Sequence, residues 1–330
     1  TNPTARKYGS LSCWTAHQID PSDFASAEGA PDGVVGNIAD HRELWVFGTN
    51  SVEVWYNSGN ADFPLIRIQG AFNELGCAAP YSIAKMDNGL FWLGRDARGQ
   101  GMVYRANGYT GQRISTHAVE WQIQQYGDLS DAIGYTYQQD GHSFYVLVFP
   151  SANTTWVYDV ATQAWHERAG FVDGAFTRHR GNCQAFFNNN VMIGDHENGN
   201  IYSYDLTNYS DNGTPQKWLR SWRALPTGQN NLKRTAQHSL QLDVESGVGL
   251  NTGQGSDPQV MLRWSDDGGH TWSNEHWVSI GKIGEYGRRA IWRRLGMTMK
   301  LRDRVYEVSG TDPVKIAIMG AELVVGGTNA

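Results

Sequence analysis

The stretch "LWVFGTNSVEVWYN", residues 44–57, decides how the rest of this chain is read. An apolar run from Leu44 to Phe47 gives way to a short polar turn, then to a second run ending at Asn57. Within that second run Val52, Val54 and Tyr56 point one way, while Glu53 and Trp55 point the other, as on a β-strand. The same plan returns in "LFWLGRDARGQGMVYRAN" (90–107), "FYVLVFPSANTTWVYD" (144–159) and "VMIGDHENGNIYSYD" (191–205). These copies end at Asn107, Asp159 and Asp205, which spaces the repeats by 50, 52 and 46 residues. A fifth copy, "VMLRWSDDGGHTWSN" (260–274), ends 69 residues further on, at Asn274. The extra length falls in a Gly-, Asn- and Gln-rich stretch, 208–259, read as an inserted longer loop region. A sixth and less regular candidate is "RAIWRRLGMTMKLRDRVYEV" (289–308).

Strand-and-turn repeats of about 40–50 residues are the mark of a β-propeller, whose blades cover one another's faces in a ring. The expected fold is therefore all-β. It is a single propeller domain over 1–330 with about six to seven blades, each an antiparallel sheet of up to four strands. Residues 1–40 would be an incomplete first blade or an extension. A solenoid or a pair of stacked sandwiches is the alternative architecture. Only "AVEWQIQQYG" (118–127) is ambiguous between strand and short helix.

Composition agrees. Thirteen Trp, fifteen Tyr and eleven Phe favour strands, and 38 Gly favour tight turns. A formal charge of −6 argues against a protein that wraps nucleic acid, which carries a basic excess. No apolar run approaches the roughly 20 residues of a membrane helix, so no membrane contact is expected. Cys13, Cys77 and Cys183 are odd in number and lack CxxC spacing, so they read as small buried or half-buried thiols. That fits synthesis in a reducing cytoplasm. The sequons at Asn153, Asn208 and Asn212 have no signal peptide beside them and receive no function. The opening "TNPTARKYGS" without methionine is read as the start of an N-terminally truncated fragment.

The polar centre of the fifth repeat, "SDDGGHTW", matches the S-x-D-x-G-x-T-W pattern of an Asp box, with Ser265, Asp267, Gly269, Thr271 and Trp272 in its key positions. Ser and Asp oxygens in such a turn accept backbone N–H groups, Gly takes a positive φ and Trp packs between strands. No substrate is needed to explain any of the five. A sialidase would require several boxes, and glycosidases require two carboxyls about 5–9.5 Å apart across a cleft. Asp266 and Asp267 are adjacent in sequence and would face opposite sides, so no enzyme is expected. "GDHENGN" (Asp195, His196, Glu197) and "TRHRGNCQ" (His179, Cys183) lack metal-ligand spacing, and the first reads as a hairpin loop turning at Asn198-Gly199. The serine elbow, P-loop and G-x-G-x-x-G are absent, which implies no cofactor. Arg288, Arg289, Arg293, Arg294, Lys300, Arg302 and Arg304 form the one charge concentration. They read as solvated strand edges with internal ion pairs, or as a patch contacting a partner or DNA in a channel. Trp121, Trp165, Trp218, Trp222 and Trp277 read mainly as core, with an aromatic ligand surface as the alternative.

The strings "GTNSVEVWYNSGNADFPLIRI", "GLFWLGRD…VYRANGYTGQRISTHAVE", "GHSFYVLVFPSANTTWVYDVATQAWHER" and "LRWSDDGGHTWSNEHWVSIGKIGEYGRRAIWRRLG" resemble the packaged-DNA stabilisation, or tail-hub (nozzle), proteins of short-tailed bacteriophages. The resemblance runs in order from about residue 43 to 323. It implies a structural virion protein of the tail that forms a ring of itself, generally six copies, below the portal-adaptor ring. It also implies a tail needle and tailspikes as neighbours and packaged DNA passing through the channel. The resemblance implies no residue-level active site. A carbohydrate-binding or sialidase-like, glycan-hydrolysing propeller is the alternative function.

Overall fold

A computed structural model describes residues 8–9, 24–25, 29–30, 32–60, 63–95, 99–223, 234–298 and 304–327. It divides into two compact units, Thr1–Tyr204 and Asp205–Ala330.

The first unit begins with a small antiparallel pair, β1 (Tyr8–Gly9) and β2 (Phe24–Ala25). Four larger sheets follow, each built from one contiguous stretch of chain. The first runs β3 (Val34–Asp40), β4 (Glu43–Gly48), β5 (Val52–Asn57) and β6 (Leu65–Asn73), every neighbour antiparallel and next in sequence. The second holds β7 (Gly76–Cys77), β8 (Ala84–Met86), β9 (Gly89–Arg95), β10 (Gly101–Asn107) and β11 (Thr110–Arg113). An α-helix, α1 (His117–Gln124), occupies the segment that is ambiguous in sequence; the Thr116 hydroxyl caps it by accepting the Val119 N–H. The third sheet is β12 (Ile133–Gln139), β13 (His142–Phe149), β14 (Thr154–Asp159) and β15 (Ala164–Glu167). After the hairpin β16 (Ala169–Val172) and β17 (Ala175–Arg178), the fourth sheet is β18 (Gly181–Phe187), β19 (Asn190–Asp195) and β20 (Ile201–Ser203). The predicted repeat ends fall at true strand ends at Asn57, Asn107 and Asp159.

The packing explains why the central strands are apolar on both faces. Leu90 and Trp92 of β9 join Trp45, Phe47, Val52 and Val54 of the first sheet. Phe91 and Leu93, pointing the opposite way, join Tyr145, Leu147 and Phe149 of the third. The intervening Val146 and Val148 join Val191 and Ile193 of the fourth. Successive sheets thus cover one another's facing sides, as neighbouring blades do. The rings interlock, Phe47 against Trp92 at 5.4 Å and Phe91 against Tyr145 at 5.1 Å. The close approach requires a glycine at 134, where a Cβ would run into the Ser82 carbonyl. Glu53, on the inner strand β5, is also buried; it accepts Gly29 N–H (2.6 Å) and Trp55 Nε1–H (3.1 Å).

The second unit differs from the expected continuation of one propeller through 1–330. It starts with the short pair β21 (Ser210–Asp211) and β22 (Thr214–Pro215), followed by β23 (Trp218–Arg223), β24 (Thr235–Val244), β25 (Gln259–Ser265), β26 (His276–Ser279), β27 (Ala290–Met297), β28 (Val305–Gly310) and β29 (Ile318–Gly327). These assemble as two sheets in the orders β23-β28-β25-β26 and β27-β24-β29. Leu240, Leu242, Ala290 and Trp292 of one sheet share a core with Val260, Leu262, Tyr306 and Val308 of the other, which is sandwich packing.

Two sequence expectations are corrected here. Stretch 208–259 is not a loop insertion, because it carries β24, the central strand of one sheet. The sixth repeat is not a hairpin either, since β27 and β28 belong to opposite sheets. Strand–turn–strand alternation is the same in a blade and in a sandwich. Only the long-range partners differ, such as Thr235 opposite Gly327.

Candidate functional site

The Asp box lies between β25 and β26, the position expected for a turn. Buried Ser265 donates its hydroxyl to Asp267 Oδ1 (2.6 Å), and its oxygen accepts the Gly269 N–H (2.8 Å). Asp267 accepts the Thr271 N–H (2.8 Å) and hydroxyl (2.6 Å). The Ser265 hydroxyl, then the Thr271 hydroxyl and N–H, hold the Asp267 carboxyl well below the usual carboxylate range. Gly269 takes a φ of +104°, and the Trp272 ring lies 4.6 Å beneath the Arg263 guanidinium. All five motif residues are therefore engaged with the protein itself. Asp266 faces away from Asp267 and grips Arg304 through two hydrogen bonds of 2.6 and 2.7 Å.

That ion pair corrects one member of the arginine group. Arg304 is only 2% exposed and also donates to the Leu295 (2.7 Å) and Met297 (3.3 Å) carbonyls, with its guanidinium 5.5 Å from the Trp264 ring. It is an internal strut, out of reach of a partner or DNA. Arg288, Arg289, Arg293 and Arg294 are exposed on or just before β27. Arg289 donates to Gln241 Oε1 (2.7 Å), and Arg294 sits at φ +60° near the register shift of β24 against β27. Lys300 and Arg302 lie outside the described residues.

The tryptophans separate. Trp121 on α1 and Trp165 on β15 meet in one cleft, joined there by Trp156 on β14. Trp218 and Trp222 pack against the core of the second unit, and Trp277 is exposed on β26. The inner face of α1 is fixed by Val119 and Ile123 in the core and by buried Glu120, which pairs with Arg113 and accepts the Ser115 hydroxyl (2.5 Å).

"GDHENGN" forms the β19–β20 loop as expected. Asp195 accepts the Glu197 N–H (2.7 Å), the Asn198 amide (2.8 Å) and the Tyr202 hydroxyl (3.1 Å). Among the described residues no group of three or more His, Cys, Asp or Glu side chains is placed to hold a metal ion. Cys77 is buried, its thiol pushed up to about 11 by that burial; Cys183 is exposed, and Cys13 lies outside the described residues.

Sequence reasoning missed one cluster. The Arg168 guanidinium lies 5.5 Å from the Tyr137 and Tyr204 rings and 5.9 Å from Phe144. His179 stands beside Tyr204 (5.9 Å), and burial, followed by the Arg168 charge, lowers its pKa to about 3. Their partners come from three separate stretches, so no local spacing announced them.

Stacked up-and-down sheets followed by a sandwich, with polar clusters that hold the chain's own backbone, define a two-part all-β protein. Residues 14–209 match the family model for the β-propeller of bacteriophage P22 Gp10, and 217–326 match that for its β-sandwich. The chain belongs to the bacteriophage P22 Gp10 family, the DNA-stabilisation, tail-hub proteins of phage virions. Nothing among the curated proteins matches it. A solved structure it is similar to is the extracellular domain of a hybrid two-component system protein of B. thetaiotaomicron, with 11% identity and a TM-score of 0.31. That similarity covers 80% of this chain, which spans 33% of the solved one.

Proposed function

We propose that this protein occupies a ring position in the phage tail, attached below the portal-adaptor ring, and helps to keep packaged DNA from leaving the head. The observation that carries this reading is the pair of family matches, in order, over both compact units. Copies of the chain, generally six, would close the ring, with the tail needle and tailspikes as neighbours and DNA passing through the channel.

Such a role needs no bond made or broken; it needs stiff modules and large contact surfaces. Face-to-face sheets supply stiffness. Exposed Phe186, Phe187 and Ile201 on the fourth sheet, and Met319, Val324 and Val325 on β29, supply apolar surface suited to assembly. Exposed Arg288, Arg289, Arg293 and Arg294 supply a positive patch for an acidic partner or the DNA backbone. The test is attachment. The chain is mixed with DNA-filled heads that carry portal and adaptor, and the mass bound per particle is measured. About six copies per particle is the expected result, and no binding rejects the proposal.

A further inference from the structure

The cleft beside α1 has a volume of about 650 Å³. Trp121, Trp156 and Trp165 line it together with Thr116, His117 and Gln122. We propose that it is a binding site for a neutral saccharide, taken up as rings stacked on the indole faces.

Two of the indoles are fixed from behind. Trp156 Nε1–H donates to the Tyr126 hydroxyl (3.0 Å) and Trp165 Nε1–H to the Ile114 carbonyl (2.9 Å). Their polar edges are thereby spent inside the protein, and what they offer the cleft is aromatic surface. The third, Trp121, is 55% exposed on the outer side of α1, one helical turn from His117. The same helix sends Val119 and Ile123 inward to the core, so its large aromatic residue faces solvent although an inward route exists.

The remaining chemistry narrows the ligand. Among the described residues no Asp, Glu, Lys or Arg lines the cleft, so a phosphate, carboxylate or ammonium group would meet no opposite charge from them. The threonine hydroxyl, histidine ring and glutamine amide supply a few hydrogen-bonding groups beside a mainly apolar wall. A sugar ring has that character, with apolar C–H faces and a rim of hydroxyls. Glycoside hydrolysis requires two carboxyls, and the described residues of the lining supply none, so the proposal is for binding a glycan and not for cutting it. The inference stands independently of the ring position proposed above.

Saturation-transfer NMR on the whole chain, with a panel of neutral gluco-, galacto-, manno- and rhamno-oligosaccharides, tests it. Transfer to ring C–H protons is expected for at least one sugar, and Trp121→Ala should weaken that binding about tenfold or more. Trp277→Ala, which removes an exposed indole of the other unit, should leave it unchanged. The near-UV circular dichroism of Trp121→Ala checks that the fold survives. The proposal is overturned by absence of transfer to every sugar, or by equal transfer to Trp121→Ala. Selective transfer to a proline-rich peptide, or self-association that Trp121→Ala abolishes, would equally overturn it by giving the cleft to a protein segment.

Discussion

The two units use the same local grammar and close their sheets differently. In the first, every large sheet is a contiguous stretch, and a residue's cross-strand partner is seldom more than about twenty positions away. In the second, β24 pairs with β29, bringing Thr235 opposite Gly327, and β23 pairs with β28, bringing Trp218 opposite Gly310. The polar anchors differ likewise. The second unit hangs a buried arginine on Asp266, while the first surrounds Arg168 with aromatic rings. Sheets made locally are covered by their neighbours; sheets made non-locally depend on the strand that arrives last.

The largest expected effect follows from that dependence. Deleting 318–327 removes an edge strand paired along the whole of β24, and the second unit should fail to fold while the first keeps its own near-UV signal. Calorimetry should show one transition where two are expected of the intact chain. Persistence of both transitions would break the contrast.

Arg304→Met comes next. It leaves Asp266 and two carbonyls without their partner, so a loss of about 3–5 kcal/mol is expected in the second unit alone. The two units should also differ in acid. Folded His179 stays neutral down to about pH 3, whereas an unfolded histidine takes up its proton near 6.5. Its contribution is intact above pH 6.5 and is lost as pH falls towards 3, so the first unit's melting midpoint should decline through that window. His179→Gln should flatten the decline. Asp267 acts lower: its depressed carboxyl pKa keeps its contribution intact above the ordinary carboxylate range and gives it up only in stronger acid.

Smaller effects sharpen the same contrast. Tyr145→Phe removes the hydroxyl that donates to the Ser82 carbonyl (2.7 Å) between the second and third sheets; it should cost the first unit about 1 kcal/mol and the second nothing. Reversing Arg293 and Arg294 to glutamate should change the stability of either unit by no more than about 0.5 kcal/mol, since both side chains are exposed. The same double variant weakens attachment or DNA retention if the patch is a contact.

Much of this was legible in the sequence because its signals are local. Alternation and turn residues marked the blade strands, and the ends at Asn57, Asn107 and Asp159 were read to the residue. The Asp box could be read as a turn because each of its hydrogen bonds spans four positions or fewer. What failed was non-local. Nothing near Arg304 announces that Asp266, 38 positions earlier, will bury it. The meeting of Trp121 with Trp156 and Trp165 likewise depends on how a helix settles against the third sheet. The boundary near residue 204 was invisible for the same reason. "VMLRWSDDGGHTWSN" reads as a hairpin in either architecture; it supplies β25 and the turn, β26 follows only at His276, and the partner of β25 on its other edge, β28, tells the two apart.

The role in genome retention is tested most directly by the rate of DNA release. DNA-filled heads carrying portal and adaptor are incubated with the protein, and escaping DNA is followed with a nuclease-coupled dye. Slower release in proportion to bound protein is the expected result. Unchanged release from particles that carry the protein would contradict a stabilising role.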